Sequence, residues 1–297
     1  METKTKAVRK INDADSRKAK AMLTLTRVLV YLFLGILTLL CLFSFYMLII
    51  NSTRTNADLQ GGFRLLPQGN FLENLKNAWT DASIDIPRGM LNSFFVATCT
   101  ALLTTYFSAL TAYGLHAYDF KLKAAATTFI LAVMVIPKQV SASGFVQLCY
   151  QFGLTDSYLP LILPGIASPV VFFYMKQYME SALPLSLVEA ARIDGSGEFR
   201  TFNSIVLPLM KPAIAVQAIF TFVANWNNYF TPALVLHDDK MKTLPILIAQ
   251  LRSADFLKFD MGQVYVTIAF SIFPVIIVYL FLSKYIVQGV AMGSVKG

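Results

Sequence analysis

The chain has 297 residues, 56% of them hydrophobic and only 14% charged, with a mean hydropathy of +0.58. Soluble domains carry about 25% charged residues, so this composition excludes an ordinary water-soluble fold and indicates an integral membrane protein. The net charge of +8 is no sign of nucleic-acid binding here, because Lys and Arg near span ends set membrane orientation.

Residues 1–27 hold eight basic residues against three acids, which predicts a cytoplasmic arm with a secondary contact to anionic lipid. The apolar run that follows is too long and too far from the start for a cleaved signal peptide, so it reads as a retained anchor. Residues 28–50 carry no charge and can cross about 30 Å of hydrocarbon as the first transmembrane helix. Residues 51–89 are polar and charge-balanced, as expected of a large external loop, and 71–79 has the pattern of a short amphipathic helix at the surface. Residues 90–118 form the second predicted span. Thr100, Thr104, Ser108 and Thr111 share one of its faces, which suits close helix packing in lipid.

A tight inner turn at 119–123 leads to a third span over 124–143, kinked or ended by Pro137. Lys138 lies about 21 Å along that helix and either reaches the outer interface or lines a solute path. After an external elbow at 144–156, the fourth span, 157–175, contains Pro160, Pro164, Gly165 and Pro169. It is predicted to be irregular and to border a pathway, because broken backbone in membranes is tolerated where protein or a cavity covers it.

The longest charged interruption of the second half, 184–211, reads as two short helices around a turn. Ser186 and Glu189 have capping-box spacing, predicting a helix start near Leu187. Ala190 and Ala191 leave one side smooth for a partner, and Asp194-Gly195 is a stop signal. Ser196 is placed to cap the second helix, on which Phe199, Phe202 and Val206 share an apolar face that Pro208 ends. The fifth span, 212–237, carries a polar stripe of Gln217, Thr221, Asn225 and Asn228 with Trp226 and Tyr229 beside it. Two roles fit that stripe: hydrogen bonds between helices, or a lining that bonds solute hydroxyls. Residues 238–260 read as external, 261–283 as the sixth span with a Pro274 kink, and 286–297 as a short glycine-rich tail. Cys41, Cys99 and Cys149 show no metal or redox spacing and read as small core residues, and His116 and His237 form no catalytic constellation.

Glu189, Ala190, Ala191, Gly195, Ile205, Leu207 and Pro208 fill every position of the "EAA" signature, so the chain resembles the membrane subunits of ATP-binding-cassette importers. Asn92-Ser93, Ala112-Tyr113 and the run from Asn225 to Pro232 are similar to the sugar-importer branch, and the tail resembles that of the maltose-type second permease subunit. A DNA-binding helix-turn-helix is disfavoured, since apolar spans flank the motif and its second helix has few basic residues.

The resemblance implies an all-α membrane protein of the type I ABC importer permease fold, with six transmembrane helices and a cytoplasmic coupling helix pair. It divides the chain into an arm (1–27), a first helix (28–50), an external loop (51–89), a five-helix core (90–285) with the coupling loop at 184–211, and a tail (286–297). It implies ATPase coupling through Glu189, Ala190, Ala191, Asp194, Gly195, Phe199, Phe202, Leu207 and Pro208, with a further ATPase contact at Gly293, Val295, Lys296 and Gly297. Gln217, Thr221, Asn225, Trp226, Asn228 and Tyr229 are the candidate pathway lining.

The implied partners are a second homologous permease, two ABC ATPase subunits, an extracellular or periplasmic solute-binding protein and membrane lipid. ATP and Mg would be bound by the ATPase, because this chain lacks a G-x-x-x-x-G-K-[ST] loop and is expected to be non-catalytic and free of cofactors and metal. The expected activity is ATP-driven import of a carbohydrate, in the first instance an oligosaccharide, across a bacterial cell membrane. The alternatives are a permease for a glycerol-phosphate ester or polyol, and a secondary transporter. Sixteen Lys and Arg on the segments assigned inside, against nine outside, agree with both termini in the cytoplasm.

Overall fold

In a computed structural model the backbone is described for residues 2–81, 84–253 and 260–294, and side chains for 20, 22–81, 84–137, 139–251 and 260–284. Among the described residues there is no strand. The helices are α1 (Glu2–Ser52), α2 (Asn56–Gln60), α3 (Phe71–Thr80), α4 (Ile86–Ala117), α5 (Lys123–Val133), α6 (Lys138–Gln151), α7 (Leu159–Ile162) and α8 (Pro169–Ala182). They continue with α9 (Leu185–Ile193), α10 (Glu198–Thr201), α11 (Leu207–Leu209), α12 (Lys211–Trp226), α13 (Phe230–Val235), α14 (Leu244–Ser253) and α15 (Met261–Ser294).

The bundle is assembled on α4. Asp85 starts this helix by accepting the Arg88 N–H at 3.0 Å, and extended backbone at Tyr118 ends it. α8, α12, α14 and the 3-10 turn Leu163–Ala167 all pack on it. Thr100, Thr104 and Ser108 are buried on its packing face, as their spacing predicts, whereas Thr111 is exposed and bonds back to the Phe107 carbonyl. A Cβ on Gly165 would stand 2.7 Å from Thr100 Cγ2 and 2.7 Å from Thr104 Oγ1, so only glycine lets the 3-10 turn come this close. The fourth span is irregular, as expected: α7, the 3-10 turn and α8 follow one another, with a break at Ser168 before Pro169.

The third span differs from expectation. Pro137 is extended, with ψ 126°, and divides the segment into α5 and α6 of 11 and 14 residues. At 1.5 Å per residue each is about 16–21 Å long, too short to cross about 30 Å alone. Four helices among the described residues are long and apolar enough to span, and a fifth follows if the pair bent by 80° at Met210 is counted as one. Residues 238–260 are also more than an external loop. α14 buries Leu244, Leu247 and Leu251 against α4 and α15, in one cluster with Phe222 and Trp226 of α12, a helical spacing inside a stretch that reads as balanced in charge. Asn92 and Ser93 hold this region: the Asn92 amide donates to the Lys240 and Lys242 carbonyls at 3.0 and 2.9 Å, and Ser93 Oγ accepts the Leu244 N–H at 2.8 Å.

Among the described residues α1 packs mainly on α15, and none of its most apolar window is buried in this chain. Its end is tied to the amphipathic helix α3. The Asn74 amide donates to the Ser52 and Arg54 carbonyls, both at 2.9 Å, and Gly262 of α15 leaves room for that amide. Arg54 is itself buried and donates to the carbonyls of Asp58 and Gly62. α15 runs on to Ser294, so most of the expected tail is helical backbone.

Gly165→Val is expected to destabilise the detergent-purified chain by about 1–3 kcal/mol through overpacking. Gly114→Ala, at a helix position with nothing within 4 Å, is expected to leave stability unchanged or slightly higher. Thermal unfolding of both variants beside the parent checks the difference.

Candidate functional site

The elbow between α8 and α12 is built by local backbone rules. Pro184 forces Leu183 into extended backbone, which ends α8, and its own φ of −63° lets α9 start at once at Leu185. The expected capping box at Ser186 and Glu189 is therefore not formed, since both residues lie inside α9 and Pro184 occupies the cap. The stop at Asp194-Gly195 is as predicted. Gly195 has φ +75°, its N–H donates to the Arg192 carbonyl at 3.0 Å, and the Ser196 N–H donates to the Ala191 carbonyl at 2.9 Å. This is the paired Schellman closure, which favours glycine at that one position. Ser196 does not cap the second helix. Gly197 holds that place, and the Ser196 hydroxyl accepts from Thr201 Oγ1 at 2.9 Å.

After α10 the chain widens into a π-turn over Phe202–Val206, where the Leu207 N–H reaches the Phe202 carbonyl. Pro208 does not end the helical path. It sits in α11, and the turn comes at Met210.

The expected apolar face divides in two. Phe202 and Val206 are fully buried, with the Phe202 ring 5.6 Å from both the Tyr106 and Tyr113 rings. Phe199 is 73% exposed. The alanine pair divides likewise: Ala191 packs inward with Val188, while Ala190 is exposed together with Glu189, Asp194 and Gly195. Ile193 is 86% exposed, a large apolar side chain at the tip of a polar elbow. Leu207 is half-buried against the core cluster that holds Tyr113, Phe172 and Phe202.

Four residues that sequence reasoning did not assign to the site hold the elbow to the bundle. Tyr113 Oη donates to Glu198 Oε2 at 2.8 Å, and Arg192 Nε donates to Glu198 Oε1 at 2.7 Å. The Arg192 guanidinium lies 5.0 Å from the centre of the Tyr118 ring. The hydrogen bond from Arg192 beside it holds the Glu198 carboxyl down at about 2. The only hint in the sequence was two opposite charges six residues apart across a glycine turn.

The candidate pathway residues are separated by the end of α12. Asn227 caps that helix, so Asn228 and Tyr229 lie off it and no continuous four-residue stripe exists. Gln217 is buried, and Thr221 and Asn225 are half-buried. The Asn225 amide donates to the Thr221 carbonyl at 2.8 Å, and Asn228 Oδ1 accepts the Thr231 N–H at 3.4 Å. Trp226 is buried in this chain's own core, stacked on Phe222 and donating to the Ser271 carbonyl at 3.0 Å. Tyr229 is half exposed. Gly293 lies in α15, and Val295, Lys296 and Gly297 fall outside the described residues. Among the described residues no cluster of His, Cys, Asp or Glu could hold a metal.

A family profile described as the binding-protein-dependent transport system inner membrane component matches residues 101–292. The chain belongs to this family. An arabinooligosaccharides transport system permease of Bacillus subtilis is 36% identical over 91% of this chain and 96% of its own length. A lactose transport system permease of Rhizobium radiobacter is 30% identical over 90% of this chain and 95% of its own. The fold matches a chain of a bacterial ABC transporter involved in the import of the acidic polysaccharide alginate, with a TM-score of 0.76 at 23% identity, covering 87% of this chain and 95% of that one. This binding-protein-dependent inner membrane component is thus a multi-pass membrane protein with the type I ABC importer permease fold, as the EAA residues led us to expect.

A carboxylate held low stabilises the fold fully above its ordinary value of 4.5 and loses that contribution as pH falls through the folded value of about 2. The melting-temperature gap between the parent and Glu198→Gln is therefore expected to be constant across neutral pH and to begin closing below pH 4.5.

Proposed function

We propose that this chain is one of two permease subunits of an ATP-driven importer for a carbohydrate, in the first instance an oligosaccharide. In this reading α9 and the turn at Gly195 form the joint to a cytoplasmic ATPase. The relatives' names support the solute class, and the family description supports a solute-binding protein as the delivering partner. The observation that carries the coupling role is the exposed tip of the elbow. Ile193 and Phe199 stand out of a charged loop that is locked in shape by its own backbone bonds. Large apolar side chains presented so fully on a rigid polar element are suited to a protein cleft.

In the complete complex the chain crosses the membrane six times, with both termini inside. The crossings are α1, α4, α5 with α6, α7 with α8, α12 with α13, and α15. A second homologous permease and two ATPase subunits complete it, and ATP and Mg are bound by the ATPase. ATP moves the assembly between inward-open and outward-open states only through its preference for one of them. Glu189 makes an ionic contact to the ATPase, and Phe199 and Ile193 enter its cleft. Phe202 and Leu207 keep the elbow seated on the bundle, exposed Pro208 belongs to the surface offered to the ATPase, and Gly293, Val295, Lys296 and Gly297 give a second ATPase contact. Gln217, Thr221 and Asn225 remain the best placed of this chain's residues to border the path.

Glu189→Lys and Gly195→Pro are expected to abolish solute uptake while membrane insertion survives. Uptake in whole cells, with quantification of the membrane-inserted chain, checks this. Parental uptake in either variant would contradict the coupling role.

A further inference from the structure

The elbow is fastened at both of its ends to the inner end of one helix. Where the chain leaves α8, His116 Nε2 of α4 lies within hydrogen-bond distance, 3.0 Å, of the Leu183 carbonyl. Where it enters α10, the Tyr113 hydroxyl donates to Glu198, and Arg192 reaches across the Gly195 turn to the other oxygen of the same carboxylate. Tyr113 and His116 are neighbours one turn apart on α4, and Tyr118, under the Arg192 guanidinium, follows directly on its end.

The remaining attachments of α9 are slight. Only Val188 and Ala191 of that helix are buried, so by itself it would pivot on two small side chains. The covalent path onward is bent, through a π-turn and an 80° change of direction before α12. The direct polar route from α9 runs sideways, through Glu198 and Tyr113 into α4, the helix on which α8, α12 and α14 pack, beside the buried Phe202 ring.

Building on the coupling role above, we propose that Glu198 is a positioning residue for transport. It accepts from Arg192 and Tyr113 at once and so makes α9 and the inner end of α4 one rigid unit. Motion delivered by an ATPase to α9 is thereby passed to the centre of the bundle instead of being absorbed by rotation of the elbow. Both bonds have a charged member, the stronger class of hydrogen bond, and together they use both oxygens of the carboxylate as acceptors.

The test is made on the assembled importer in proteoliposomes with its solute-binding protein and a transported sugar. Solute moved per ATP hydrolysed is measured together with co-purification of the ATPase. Glu198→Gln and Tyr113→Phe, which keep size and ring packing, are expected to lower the transport-to-hydrolysis ratio about tenfold while the ATPase still co-purifies and hydrolyses ATP. The double variant is expected to be no worse than the poorer single one, because both act on one link. Exchanging the charges, Arg192→Glu with Glu198→Arg, is expected to recover part of the ratio.

A parental ratio in Glu198→Gln and Tyr113→Phe, with the complex intact, would overturn the proposal and leave the coupling reading standing. Loss of the ATPase from Glu198→Gln would also overturn it, since Glu198 would then act in docking. Failure of the parent chain itself to hold any ATPase would remove the coupling reading and this proposal together.

Discussion

A helix in hydrocarbon satisfies its backbone internally, so neighbours can approach it only through its side chains. α4 meets this constraint by keeping its contact face small. Among the described residues no hydrogen-bond partner faces the buried hydroxyls of Thr100, Thr104 and Ser108, and their small size lets the neighbouring turn come close. Gly165 completes the fit from the opposite side. A large side chain on either surface would move the 3-10 turn, and with it the start of α8 and the elbow that α8 carries.

The same helix changes character towards its C-terminal end. As far as Thr104 the contact face is small; from Tyr106 onward it becomes aromatic and then polar. Phe202 is held between two tyrosine rings, and beyond it lie the Tyr113, His116 and Tyr118 contacts to the elbow. One element thus serves as the central post of the bundle and the seat of the elbow. The tip of that elbow is left bare, with Ile193, Phe199, Glu189 and Ala190 all exposed. α1 is bare in another sense, apolar on nearly every side and packed on little but α15, as suits a helix facing lipid or another subunit.

Much of this was legible in the sequence where local rules decide. Gly195 is readable because a positive φ favours one residue type, and the irregular fourth span because four helix-disrupting residues fall within it. The EAA residues identified the family because their spacing is fixed. Errors arose where two local signals compete or where distant groups decide. Ser186 lost its capping role to Pro184, whose effect on Leu183 moves the helix start. Phe199 and Phe202 share a helical face in sequence, yet the tyrosines of α4 take only one of them. Trp226 reads as an aromatic beside a polar stripe, but the Ser271 carbonyl of α15 claims its N–H. α14 was concealed by flanking charges. The Glu198 link lay beyond sequence reasoning, because it joins residues 85 positions apart.

The proposed coupling requires the elbow at 184–211 to touch a motor subunit on the inner side of the membrane. A photoreactive side chain placed at Ile193 in the assembled importer tests this most directly. We predict a covalent adduct with the ATPase subunit, whose yield changes when ATP is added. Adducts to lipid alone, or to the solute-binding protein on the opposite face, would contradict it.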